Sequence, residues 1–437
     1  MSAHTDFVGQ QMQGGFNPPV RSLMDIDFYK FTMGQLIFKH FRDVDATFTL
    51  INRDKSIPLA MIVPQGELEK YLDYARTLSL SSSSGISTDM ALLRGMRVYG
   101  ANMFFEEYMQ FLEKFRLPSY RLRRVGDQYE LTFSGSWVEV SMWETIALAI
   151  ISELFYRKLM ESLSRYELDV LYARAKDKVW RKLEILARNP DIRFADFGQR
   201  RRHSFLWQQW VLGACKEVLP EQLTGTSNTW MAFHHNMMPI GTNAHELPMA
   251  LVALASSDEE MWAAQYETPR LWQEMYGPGL RIFLTDTYTS KEFFRGAPEW
   301  LAHDWRGMRQ DSGDPFRIAR LYIKWLQSHG VDPKTKLIIF SDGLDVEPMR
   351  KLQGEFGGKI GTSYGWGTLF TNDFIGCYPK NPYFRPFSLV CKLKDIDGIP
   401  AVKLSDNIQK ATGNESEIAR YIKIFNADDR DSIRPDV

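Results

Sequence analysis

From about residue 190 onward the chain repeats one local plan: a short apolar run ends in small or charged residues, and a helical stretch separates it from the next run. The runs are 192–197, 281–286, 304–309, 337–342 and 358–367. Several lead into groups with chemistry, namely Asp-Phe-Gly, Thr-Asp, Arg-Gln-Asp-Ser-Gly-Asp, Ser-Asp-Gly and Gly-Trp-Gly-Thr. Parallel strands are joined by helical crossovers, and their C-terminal ends carry the functional groups. The pattern therefore predicts βα units on an α/β barrel-like scaffold.

The first 190 residues have a different texture. Helical spacing is expected over 22–41, with Asp25 and Asp27 early, and a strand over 46–51. The serines at 81–84 with Gly85 read as a surface loop. Strands are expected at 129–133 and 137–142, turning at 134–136. An apolar helix over 143–159 and an amphipathic one over 165–186 follow, and β structure returns at 387–393 and 401–404. Residues 1–20 carry neither a basic nor an apolar leader segment and read as a flexible tail. The most apolar stretch, 145–151, is far shorter than the roughly 20 residues of a membrane span. Lys+Arg 53 against Asp+Glu 54 argues against a polybasic protein of nucleic acid or membrane surfaces. Cys215, Cys377 and Cys391 are too few and too scattered for a disulfide scaffold or zinc cluster, so a cytoplasmic location is expected.

Six constellations carry candidate chemistry. Arg309-Gln-Asp-Ser-Gly-Asp-Pro315 offers Arg309 as an anion clamp, and Asp311 and Asp314 for hydroxyls or a metal's water shell. The plain alternative is a helix cap, which needs only one acid. Ser341-Asp-Gly-Leu-Asp345 presents Ser341, Asp342 and Gly343 to a sugar or phosphate, or forms a turn and cap. Gly365, Gly367 and Thr368 in Tyr364-Gly-Trp-Gly-Thr368 read as a phosphate cradle or a tight turn. In Asp196-Phe-Gly-Gln-Arg-Arg-Arg202 the arginines form a solvated face, or Phe197 stacks on a flat ring while Arg200 meets a carboxylate. Lys392, Lys394, Lys403 and Lys410 suit a polyphosphate or a charged sheet edge. His245, in Gly241-Thr-Asn-Ala-His-Glu246, is the histidine in the most site-like surroundings. A nucleophilic imidazole needs a group that fixes its tautomer. Adjacent Glu246 cannot face it on a helix, which leaves Asp286, Asp311 or Asp342. Together these groups describe an enzyme for a phosphate-rich small molecule.

In this order, and with Leu23-Met-Asp-Ile-Asp-Phe-Tyr-Lys30, Gly225-Thr-Ser-Asn228 and Val402-Lys-Leu-Ser-Asp406, the motifs resemble the nicotinate phosphoribosyltransferases over roughly residues 20–425. The resemblance implies the type II phosphoribosyltransferase fold. An α/β domain would combine residues 21–150 with 386–437, and a barrel-like domain would span 151–385. The implied reaction joins nicotinate to phosphoribosyl pyrophosphate in NAD salvage. It is coupled to ATP through a phosphohistidine at His245 and requires Mg²⁺ delivered with substrate phosphates rather than by protein ligands. The implied nicotinate site is Phe197, Arg200 and Ser227, closed by Tyr29 from the partner subunit of a homodimer. Arg309 and Asp311 would serve the transfer. Ser341, Asp342, Gly343, Gly365, Gly367 and Thr368 would hold the phosphoribosyl phosphate, and Arg53, Lys392, Lys403 and Lys410 the ATP or pyrophosphate.

Ser227 stands where the related nicotinamide enzyme has aspartate. A hydroxyl can donate to nicotinate's carboxylate, whereas a second carboxylate would repel it. Gln310 and Leu247 depart from the common His and Trp of the family. The competing readings are a nucleotide-sensing barrel without turnover and a quinolinate phosphoribosyltransferase. The His245 motif and the lysines argue against both.

Overall fold

In the computed structural model, which describes residues 16–81, 87–98 and 101–432, two sheets carry the architecture. The serines after Ser81 and residues 1–15 of the expected tail lie outside the described residues. The first sheet starts with β1 (Asp45–Asn52), whose alternating pattern buries Ala46, Phe48 and Leu50. A short hairpin, β2 (Arg97–Val98) and β3 (Ala101–Asn102), stands apart. β4 (Arg121–Val125) and β5 (Gln128–Ser136) extend the first sheet. The second sheet is formed by β6 (Phe194–Asp196), β7 (Leu223–Thr226), β8 (Ile282–Leu284), β9 (Gly307–Gln310), β10 (Leu337–Phe340) and β11 (Gly361–Trp366). β12 (Leu389–Ile396) and β13 (Ile399–Pro400) return to the first sheet, giving the order β13-β12-β1-β5-β4 with Lys392 opposite Thr49.

The second sheet has the order β7-β6-β11-β10-β9-β8, and every pairing in it is parallel. Its terminal strands do not pair with each other, so the barrel is irregular, as expected. The five apolar runs of the C-terminal half each contain one of these strands. One continuous core joins the sheets, with Phe48 and Leu50 of β1 in the same cluster as Met308 and Ile338 of the barrel. The helix Trp143–Met160, buried on almost every side, runs unbroken past residue 150, where the two domains were expected to meet. The helix Arg165–Ala187 starts on a capping box made by Ser164 and Glu167. No helix among the described residues is long and apolar enough to cross a membrane.

Three local expectations are corrected. The helix expected over 22–41 begins at Tyr29, because residues 24–28 are laid against the barrel. Phe28 N donates to Ser227 O, while Thr229 N and Trp230 N donate to Ile26 O and Met24 O. The turn expected at 134–136 is strand, since Ser134, Gly135 and Ser136 pair with Thr47, Ala46 and Asp45 of β1. The reversal lies at Gly126 (φ 62°) between β4 and β5, and Trp137–Val140 is a short helix. Residues 401–404 do not extend the sheet. They form a strap on the barrel, where Leu404 N and Ser405 N both donate to Thr287 O.

A buried ion pair fixes the N-terminal segment to the barrel. Arg202 reaches both oxygens of Asp25, Nη1 to Oδ1 at 2.7 Å and Nη2 to Oδ2 at 2.8 Å, with neither side chain exposed. Asn228 Nδ2 also donates to Asp25 Oδ1, at 2.7 Å. Removing one member strands the other charge in the core, a loss of about 3–5 kcal/mol. Asp25→Ala should therefore lower the free energy of urea unfolding by about that much, and adding Arg202→Met should recover part of it. Equal losses in the single and double variants would contradict this role.

Candidate functional site

The C-terminal ends of β6, β9, β10 and β11 converge on one cavity. Phe197, Arg200, Arg201, Arg309, Asp311, Ser341, Asp342, Gly343, Gly367 and Thr368 line it from the barrel. Arg53, at the end of β1, and Lys392, on β12, line it from the first sheet, and Lys403 and Lys410 from the tail. Seven cationic side chains thus face two carboxylates, a potential suited to a polyanion.

Gly365 has no room for a Cβ, which would lie 2.4 Å from the ring of Phe197. The glycine therefore seats the aromatic side chain at the strand end, while Phe197 N donates to Trp366 O. Arg200 lies 3.5 Å from both Asp27 and Glu144, and its guanidinium is 6.0 Å from the ring of Tyr29. Burial pushes the Asp27 carboxyl up to about 6 against the opposing pull of Arg200 and Ser227. The Ser227 hydroxyl donates to Asp27 Oδ1, so it is already committed and not free to donate to a ligand carboxylate as expected.

Within the chain, Arg53 lines the cavity and Tyr29 packs beside Arg200. Tyr29 is placed there by the segment laid on the barrel, in which Asp27 bridges Asn228. Tyr29 is buried, and its hydroxyl donates to Glu144 Oε2 at 3.1 Å. Arg53 Nη2 donates to the carbonyl of Lys410 at 3.1 Å.

His245 stands at the start of the helix Glu246–Ala253 and is buried. Its Nδ1 is 3.0 Å from Thr287 Oγ1, and its Nε2 is 2.9 Å from Lys403 Nζ and 3.1 Å from Asp311 Oδ2. Asp286 is 3.6 Å from Nε2, whereas Asp342 is paired with Lys410 instead. Two of the three expected acids therefore reach the imidazole. An ammonium only donates, so Nε2 carries the lone pair and Nδ1–H donates to Thr287. Burial, with Lys403 adding to it, pushes this imidazole down to about 4. Asp311 is held well below the usual carboxylate range, the Arg309 guanidinium outweighing its burial.

The phosphate-type motifs divide their acids between structure and cavity. Asp314 caps the helix Pro315–Ser328 and is not a cavity residue as expected, while Asp311 accepts from Ser341 Oγ at 2.9 Å. Asp345 likewise caps Val346–Phe356, leaving Asp342 at the cavity. Gln310 spends its amide on the carbonyls of Ser312 and Gly313, which closes the turn below Asp311. Leu247 is buried in the core. Lys394 is exposed and separate from Lys392. Burial, reinforced by Lys403, Arg53 and Arg200, pushes the Lys392 amine down to about 7 despite Glu144.

Sequence reasoning missed Lys30 and Glu144. Lys30 is fully buried, 2.7 Å from Glu144 and 2.6 Å from Glu246, and Trp137 Nε1 donates to Glu246 at 2.8 Å. The available signal was an acid inside the apolar run that begins at Trp143. His245, Asp286 and Asp311 have ligand atoms within 4.8 Å of one another, as a metal site would. Lys403 Nζ, 3.4 Å from Asp286 and 2.9 Å from His245, already supplies the cation there.

Fold and cavity together define a barrel-type α/β protein that handles a polyanionic small molecule. Residues 192–428 match the nicotinate phosphoribosyltransferase (NAPRTase) family, and residues 24–152 match the NAPRTase N-terminal domain. The structure is similar to that of nicotinate phosphoribosyltransferase from Vibrio cholerae, with 30% identity over 94% of each chain and a TM-score of 0.82. It is also similar to that of nicotinate phosphoribosyltransferase from Porphyromonas gingivalis, with 28% identity over 93% of this chain and 100% of that one, and a TM-score of 0.79. The chain belongs to the nicotinate phosphoribosyltransferase family.

The depressed imidazole has a pH consequence. Between pH 6.5 and about 4 the unfolded chain protonates His245 and the folded chain does not. The unfolded state then binds more protons, so this group's contribution is complete above pH 6.5 and is lost as pH falls towards about 4. His245→Gln should flatten the stability-versus-pH slope in that window. An NMR titration should find His245 neutral at pH 6, and an ordinary midpoint near 6.5 would refute the assignment.

Proposed function

We propose that this chain is an ATP-coupled nicotinate phosphoribosyltransferase. The observation that carries the reading is the joining, in one cavity, of Phe197 and Arg200 with six further cationic groups, where two lining residues, Lys403 and Asp311, contact the buried His245. In the reaction the nicotinate ring nitrogen forms a bond to ribose C1. The C1–O bond to pyrophosphate breaks, and its electron pair leaves with the pyrophosphate. Phe197 and Tyr29 hold the ring, and Arg200 meets its carboxylate. Ser341 to Gly343 and Gly365 to Thr368 seat the phosphoribosyl group. Arg309, Lys392, Lys403 and Lys410 receive charge that develops on the departing oxygens, the electrostatic preorganisation that dominates such catalysis. Asp311 faces the sugar hydroxyls. Mg²⁺ carried in on the substrate phosphates would supply further neutralisation of the pyrophosphate.

ATP coupling runs through His245. Its Nε2 lone pair attacks the γ-phosphorus, the bond to ADP breaks, and the phosphoryl group stays on the imidazole. Lys403 lies where it would pair with the new charge, and Asp286 and Asp311 re-balance the lysine. A homodimer with shared sites is the assembly that goes with this reading. The product is a nucleotide for NAD salvage, and a cytoplasmic location suits that role.

The test offers nicotinate, nicotinamide and quinolinate in turn with phosphoribosyl pyrophosphate, Mg²⁺ and ATP. Nicotinate should be used with by far the highest kcat/KM, and preference for another base would refute the reading. His245→Ala should abolish ATP hydrolysis and acid-labile labelling by radiolabelled ATP, yet leave slow ATP-independent transfer. Normal labelling of that variant would remove His245 from the role. Ser227→Asp should shift the kcat/KM ratio towards nicotinamide at least tenfold, since a second carboxylate beside Asp27 repels the acid substrate. An unchanged ratio would remove position 227 from base choice.

A further inference from the structure

Residues 200–202 are consecutive arginines with unequal surroundings. Arg200 has Asp27 and Glu144 at 3.5 Å, and Arg202 is locked to Asp25. Among the described residues Arg201 has no carboxylate within ion-pair distance, and its Nη1 is shut off from solvent without a hydrogen-bond partner. Its turn is nonetheless firmly held. Asn372 Nδ2 donates to Arg201 O at 2.8 Å, and Thr371 Oγ1 donates to Gly198 O at 2.9 Å. The guanidinium lines the cavity with Arg53 and Arg200, which repel it. The acids that act on it are already engaged, Asp342 by Lys410 and Asp311 by Ser341 and Arg309. Burial with these cations pushes Arg201 down to about 10. A charge kept in such a place costs stability unless an anion arrives.

We propose that Arg201 is the guanidinium that binds the 5′-phosphate of the phosphoribosyl substrate, which deepens the phosphoribosyl-transfer reading and rests on it. The position favours that phosphate over the leaving pyrophosphate. Arg201 is tied to the turn after Gly367 and Thr368 and feels Asp342, whereas Lys403 is engaged with His245 and Asp286. A guanidinium can meet two phosphate oxygens at once, as a lysine cannot.

The test uses Arg201→Met, which keeps an unbranched chain and removes the charge, with ribose 5-phosphate and inorganic pyrophosphate as separate calorimetric probes. The variant should bind ribose 5-phosphate about 10- to 100-fold more weakly and pyrophosphate within about threefold of the parent, from the strength of charge-assisted pairs. KM for phosphoribosyl pyrophosphate should rise with kcat little changed, and Arg201→Lys should restore part of the affinity. Without ligand, Arg201→Met should melt no lower than the parent, because it removes an unpaired buried charge. Unchanged ribose 5-phosphate binding would overturn the proposal, as would loss confined to pyrophosphate. A Tm several degrees lower without ligand would make Arg201 structural and would also overturn it. A parent protein that binds neither probe would instead reject the phosphoribosyl reading beneath it.

Discussion

The site depends on a set of buried ion pairs that hold residues 25–30 against the barrel. Asp25 with Arg202, Asp27 with Arg200, and Lys30 with Glu144 and Glu246 join the N-terminal segment to three separate parts of the chain. Each charge is expensive to bury, and added hydrogen bonds support the pairs, from Asn228 Nδ2 to Asp25 and from Trp137 Nε1 to Glu246. Glu144 is the pivot, in contact with Lys30, Tyr29 and Arg200 at once. Its carboxyl is held down to about 2, with Lys30 and Arg200 outweighing its burial. The network directs β1, and with it β12, over the ends of the barrel strands, so that Arg53 and Lys392 face the same space as Arg309 and Lys410.

That placement creates an electrostatic imbalance which binding would relieve. The cavity holds cations that raise each other's energy, and Lys392 and Arg201 are both driven towards their neutral forms. A polyanion would reverse both shifts, so affinity for phosphate groups and strain in the free protein have one origin. Burial keeps His245 neutral, and Lys403 adds to the effect.

Parts of the barrel were legible in the sequence because some of its strands read as short apolar runs. Leu-Ile-Ile-Phe in β10 is the clearest case. β7, Leu-Thr-Gly-Thr, carries no such signal and was visible only through the motif that follows it. The cavity motifs stood out because each follows a strand end, where a helix cap requires only one polar residue and more were present. Asp314 and Asp345 took the caps and left Asp311 and Asp342 for the cavity. Long-range pairing was not legible. Nothing local indicates that Lys30 meets residues 144 and 246, that Tyr29 packs beside Arg200, or that the arginines at 200–202 have three different environments.

The central claim is that cations from both sheets, pinned together by buried charge, face one polyanion. The most direct measurement is the affinity of phosphoribosyl pyrophosphate for the parent protein, for Lys392→Met in the first sheet and for Arg309→Met in the second. The account predicts that loss of a cation from either sheet weakens binding. Unchanged affinity in either variant would contradict it.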